Sequence, residues 1–395
     1  MNLAQILVLL LVAVVALVLL AWRQAAARRP PPPTQRAGQP SAITGPRPEQ
    51  GALPTHGDFA DRTRTAWQPL PAGGTAEPVW PPELLAFSYQ LPDDLPEARR
   101  LALTVQFANL PRPPRLLNQL TSPDFLATAS SSQLAEMVVA EPVIAARVLA
   151  TVNSPLYGFQ SPVNSLGQAM TYLGLNAVRS LCLQYLMLSA FKADTPARQA
   201  QIDQTWRASL LASELAQRLV RQLDWPDAGG LVSAVVLSFL GRLATVTVMP
   251  TPMLATLPHN GFLARTQAEQ AHFGLGAGQI GALLMQTWDL PESLVQQVRA
   301  IDQVLVWHSP LAGLTPAATE ARLRATLGYL CARLGEQLVS GELTDLAQLD
   351  LASLGGPDWH LVQPALQHPS LARLPECLRS AELLAAIQKA QRAAL

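Results

Sequence analysis

The chain has 395 residues, with 28 Lys and Arg against 28 Asp and Glu, and only 14% of its residues are charged. A formal net charge of zero leaves no basic footprint for a nucleic-acid partner, and none is expected. The length allows a large core, while Cys182, Cys331 and Cys377 are too few and too far apart for a disulfide framework or a zinc site; they read as buried thiols in a reducing compartment.

Residues 2–22 carry no charged side chain and form an apolar run long enough for one bilayer span, for which about 20 residues suffice. A cleaved signal peptide fits poorly, because no basic segment precedes the run and it outlasts the roughly 7–15 apolar residues usual there. Arg23, Arg28 and Arg29 follow at once. The positive-inside rule then predicts a single-pass transmembrane helix with the N-terminus out and the rest of the chain in the cytoplasm. Residues 23–82 read as a disordered, proline-rich linker, opening with Pro30–Pro33. Such a segment cannot bury enough apolar surface to offset its ordering entropy. Trp67 and Trp80 are out of place in a pure tether and read as docking or partner contacts.

From residue 83 the pattern is helical. Short helices are expected at Glu83–Tyr89 and Pro96–Phe107, an extended entry at 110–114, and a helix carrying Leu134, Met137 and Val138 with Ser132 as its cap. The most ordered stretch is Glu141 to Gly174. Pro142 suits a first helical position. The pairs Ile144 with Val148 and Ala145 with Leu149 share one face, and Asn153-Ser154-Pro155 ends the helix. Ser165 caps the next helix and Gly174 closes it. Further on, Gln199–Leu223 is long and amphipathic. Gly230–Val248 is apolar nearly all round, the mark of a buried core helix. Phe262–Phe273, Ala277–Thr287 and Pro291–Val306 follow. Ala317–Val339 and Ser380–Ala393, the latter capped by Ser380, belong to a helical C-terminal extension over 310–395. No sustained period-two alternation occurs, so the fold class is all-α.

The acidic-Pro helix start at Glu141-Pro142, the Asn153-Ser154…Tyr157-Gly158 turn and the helix Ser165…Ala169…Leu173-Gly174 resemble the HDOD family, HD-phosphohydrolase-like helical domains of bacterial signalling proteins. The likeness runs over 101–303, within a domain expected at 83–309. It implies an HD-like multi-helix fold, a bacterial inner-membrane location for the anchored chain, and a bacterial signalling protein as partner.

HD-type hydrolases hold a metal with a His, an adjacent His-Asp pair and a later Asp; the metal activates water for attack on phosphate. In HDOD relatives the pair sits in a Leu-His-Asp-Ile-Gly-Arg-Leu frame. The matching stretch here is Leu237-Ser238-Phe239-Leu240-Gly241-Arg242-Leu243. Ser238 stands for the His and Phe239 for the Asp. Ala277 and Ile301-Asp302 fall where some relatives carry further histidines. Phenylalanine offers no donor, so no metal, no catalytic residue and no cofactor are expected. His56, His259, His272, His308, His360 and His368 stand at unrelated spacings. Gly276-Ala277-Gly278-Gln279-Ile280-Gly281 fits GxGxxG by letter, but a helix rather than a strand precedes it, so it reads as helix punctuation and close packing.

The expected function is therefore non-enzymatic: a membrane-tethered, protein-binding adaptor. The alternatives are a nucleotide-like small-molecule sensor using the degenerate pocket and a residual metal-dependent phosphohydrolase. The candidate ligand or partner surface comprises Arg147, Asn153, Ser154, Tyr157, Arg179 and Arg242. For Asn153 and Ser154 a turn-forming role competes, since such side chains serve turns by default.

Overall fold

The computed structural model describes residues 81–394, apart from residues 155, 156, 158, 226, 227, 258–260, 307–310, 312, 352, 353, 355 and 361. The expected membrane helix at 2–22, nearly all of the linker at 23–82, and His56, His259 and His308 lie outside the described residues.

Local sequence sets most of the helix ends. After α1 (Pro82–Leu85) and α2 (Glu97–Ala108), α3 (Leu116–Thr121) passes directly into α4 (Pro123–Thr128) at Ser122. In α5 (Ser131–Val139) the cap is Ser130 and not Ser132. Gln133 N–H donates to Ser130 Oγ at 3.2 Å and Ser130 N–H to Gln133 Oε1 at 2.9 Å. The reciprocal pair satisfies two orphan donors, which Ser132 alone could not do. Helix α6 (Pro142–Val152) starts on its proline, and α7 (Leu166–Leu173) is capped by Ser165, which accepts from Gln168 N–H at 3.1 Å. Gly174, at φ 87°, turns the chain into α8 (Leu175–Ser189); this left-handed φ is one that a Cβ would resist.

The long α9 (Pro196–Gln222) is the axis of the molecule. It packs on α10 (Ala228–Ser238), α11 (Leu240–Val248) and, most extensively, α16 (Pro316–Ser340). The segment expected as one helix over Gly230–Val248 is thus two, interrupted at Phe239. By length and composition Gly229–Val248 could cross a membrane, yet 83% of its apolar window is buried in the fold. It is a core helix pair, and α10 has the low amphipathicity that burial on all sides permits.

Helix α12 (Thr251–Thr256) leads to α13 (Phe262–Phe273), α14 (Ala277–Thr287) and α15 (Glu292–Gln303). Helices α11 and α14 cross at glycine contact: a Cβ on Gly241 would stand 1.7 Å from the Ala277 carbonyl oxygen. That close approach accounts for the GxGxxG lettering as packing. Helix α16 is buried along most of its length, Leu327 to Leu334 being without appreciable exposure apart from Arg333. Although it belongs to the C-terminal extension by position, it is a wall of the core. Then α17 (Pro357–His360), α18 (Gln363–Leu366), α19 (Leu374–Leu378) and α20 (Ala381–Ala394) wrap back, α19 and α20 onto α9 and α18 onto α16. Ser380 Oγ accepts from Leu383 N–H at 3.3 Å, in the expected capping role. Cys182, Cys331 and Cys377 are free and buried. No strand occurs among the described residues.

Candidate functional site

The pair position lies where α10 meets α11. Ser238 Oγ donates to the Val235 carbonyl of its own helix at 2.7 Å. Phe239 is 2% exposed and sits among the core side chains. The hydroxyl is spent on the helix and the ring has no lone pair to offer. Ala277, at the next counterpart position, begins α14, and its N–H donates to Glu269 Oε2 at 2.7 Å. Among the described residues no group of three or more His, Cys, Asp or Glu could hold a metal ion. The donor set here therefore does not fit the cation that HD chemistry requires.

Asp302, on α15, is itself one of the counterpart positions and carries a carboxylate. It is packed against Gly278, where a Cβ would stand 2.1 Å from Oδ2. Burial pushes its carboxyl up to about 6, against the pull of Arg333 and Arg265.

One turn beyond Phe239 the character changes. Arg242, Arg265 and Arg333 are each over nine-tenths buried and line a common cavity of about 270 Å³. Its walls come from α9, α11, α13, α16 and the Gly356–Trp359 stretch of the C-terminal extension. Glu336 is shared. It accepts from Arg265 Nη2 at 2.9 and 3.0 Å and from Arg333 Nη1 at 2.7 Å. Burial would raise the Glu336 pKa, but Arg265, Arg333 and Arg242 together outweigh burial and hold it below the usual range. The Arg333 guanidinium also lies 4.1 Å from the Phe262 ring centroid, a cation–π contact. Arg242 is held more loosely, 3.5 Å from Glu269 Oε1 and 3.4 Å from Gln201 Oε1. Burial, followed by the like charge of Arg265, pushes its pKa down to about 10. From the extension, Asp358 accepts from Tyr329 OH at 3.0 Å, and Trp359 packs edge-on against Tyr329.

The other five candidate residues do not line this cavity. Asn153 is consumed locally: Nδ2 donates to the Leu149 and Val163 carbonyls at 2.9 and 2.8 Å, and Oδ1 accepts from Val163 N–H at 2.7 Å. It ties the end of α6 to the entry of α7. Ser154 Oγ donates to the Thr151 carbonyl at 2.6 Å. Arg179 is buried and donates to the Gly229 carbonyl at 2.7 Å, joining α8 to α10. Arg147 is exposed, its guanidinium 5.8 Å from the Tyr185 ring centroid. Tyr157 stacks on Phe159 with centroids 6.2 Å apart, and Phe159 meets Tyr172 at 4.9 Å.

Arg265, Glu269, Arg333, Glu336 and Asp358 escape the sequence reading. The available signal is spacing: Arg265 with Glu269 is i,i+4 and Arg333 with Glu336 is i,i+3. Such pairs ordinarily mark a solvated helix face, and nothing in the sequence says that these two are buried.

The HDOD domain family matches residues 110–304. An HDOD domain protein from Geobacter sulfurreducens is similar in structure, at 19% identity and a TM-score of 0.51, over 74% of this chain and 98% of that one. A Shewanella amazonensis protein provisionally named a phosphohydrolase is 19% identical over 74% of this chain and 98% of its own, with a TM-score of 0.47. A Marinobacter aquaeolei protein provisionally named for signal transduction is 21% identical over 72% and 65%, at 0.42. No curated protein matches the chain. The Geobacter likeness speaks for the fold alone, an all-helical HD-like architecture.

Proposed function

We propose, from the premise that residues 110–304 are an HDOD domain, that this protein is a non-enzymatic regulatory module: an adaptor, tethered to the bacterial inner membrane by residues 2–22, that binds another signalling protein. The observation that carries this reading is the Ser238–Phe239 pair. The scaffold of a metal-dependent hydrolase is kept, while a serine bonded to its own helix and a buried ring stand where ligands are needed. What such a scaffold can still offer is shape.

The surface best suited to a protein partner is the α6–α7 corner. Tyr172 is 54% exposed at the end of the Tyr157–Phe159–Tyr172 aromatic row. Arg147 is exposed on α6, and Val139 and Val143 are exposed across the α5–α6 junction. Exposed aromatic and arginine side chains are the groups most enriched at interface centres. Asn153 and Ser154 act beneath them, holding the turn.

Crosslinking of the full chain in native membranes tests the reading. A partner captured reproducibly by the wild type and lost with Tyr172→Asp supports it. An unchanged crosslinking pattern in that variant argues against the corner. Stoichiometric divalent metal together with phosphodiester turnover by the purified full chain would overturn the non-enzymatic reading. A second reading, a small-molecule sensor, draws on the arginine-lined cavity one turn beyond the pair.

A further inference from the structure

The cavity carries more cationic donor capacity than its own carboxylates use. Three guanidiniums line it, and a single acceptor, Glu336, serves two of them. Arg333 Nε is buried with no hydrogen-bond partner among the described residues. A buried donor left unmade is costly, so this one has reason to be met by something that enters. Arg242 reaches its two acceptors only at 3.4 and 3.5 Å, well beyond the roughly 2.7–2.9 Å of a good charge-assisted bond. Glu269 cannot easily move closer, because its other oxygen takes the Ala277 N–H that starts α14.

The remaining acids on the lining are Asp358 and Glu342. Asp358 is engaged by the Tyr329 hydroxyl, and burial favours its neutral form. Glu342 stands at the exposed rim. Gln204, Thr205, Gln337 and Ser340 add neutral polar groups to the wall.

We infer that this cleft is a binding site for a small oxyanion, borne as a phosphate or a carboxylate group, held by Arg242 and Arg333 and closed on one side by the Gly356–Trp359 stretch. The site is composite, since neither the HDOD domain nor the extension forms it alone. It deepens the sensor reading and does not depend on the adaptor reading, so the two fail separately. It is also distinct from the Ser238–Phe239 position, neither of whose residues lines it.

The test titrates the full chain with inorganic phosphate and, separately, with citrate, at constant ionic strength, following melting temperature and heat of binding. A saturable rise with one anion or both is expected, and the stronger of the two identifies the group that the ligand bears. Glu342→Gln removes a rim charge without touching the buried pairs and should tighten binding by about threefold to tenfold. Gln204→Glu adds a negative charge to the wall and should weaken it by a similar factor. Arg242→Gln should weaken it by about tenfold or more. Because Arg242 also packs the fold, the Glu342 and Gln204 variants, with opposite expected signs, carry the decision. No saturable response to either anion, or responses unaltered in both of those variants, would overturn the site.

Discussion

Positions 238–239 and position 242 lie one helical turn apart and have opposite chemistry. At the first, the polar atom is turned back onto its own helix and the aromatic ring is in the core. At the second, a guanidinium is buried beside two others, with Glu269 and Glu336 as counter-charges. The space around position 242 could have been filled with apolar side chains, as it is at Phe239. Next to it the chain instead keeps charges that are costly to bury unless paired. The lesson is that an apolar, locally bonded turn and a buried cluster of charges can stand side by side on one pair of helices. The pair is held by packing, and the cleft by electrostatics.

The hardest blow to this contrast is Phe239→Asp. It deletes a packed ring and buries an unpaired carboxylate, and should cost about 4 kcal/mol or more, read by urea denaturation of the full chain. In Ser238→His/Phe239→Asp the same loss should persist when manganese or zinc is added; a metal-dependent recovery of stability would break the contrast. Glu336→Ala comes next. It strands Arg265 and Arg333, and because Glu336 keeps 22% of its side chain exposed, the expected loss is about 3 kcal/mol, at the low end for a broken buried pair. Glu336→Gln should recover part of it.

Asp302→Asn should act in the opposite direction. The Asp302 carboxyl, ordinarily at 3.8, is pushed up to about 6 by burial, so the native state holds the proton more tightly than the unfolded chain. Stability from this group is present below about pH 4 and is lost as pH rises through about 6. The variant should therefore be more stable than wild type by about 3 kcal/mol at pH 7, and the difference should vanish near pH 4. Denaturation midpoints across that window check both the size and the sign. Smallest is Asn153→Ala, which removes three hydrogen bonds at the α6–α7 turn and should cost about 1–2 kcal/mol, with no change in anion response at the cleft.

The α6–α7 corner shows how much of the fold is legible in a sequence. Pro142, Ser165 and Gly174 act through their immediate neighbours, and the structure has them in the expected roles. The Ser130 cap was misplaced by two residues because serines at 130, 131 and 132 offer the same hydroxyl; only the partner Gln133 selects among them. The break at Phe239 was hidden for a related reason. An apolar run has one pattern whether it is one helix or two, and the angle between α10 and α11 is fixed by what they pack against.

Composition and local pattern by themselves determined that this chain is helical and where most helices start and stop, because those properties depend on residues within a turn or two of one another. Tertiary structure alone decided that Arg242, Arg265 and Arg333, separated by as many as 91 positions, line one cavity with a wall taken from the C-terminal extension. An arginine's spacing tells which face of its own helix it shares. Whether that face meets water or two more arginines depends on where the other helices come to rest.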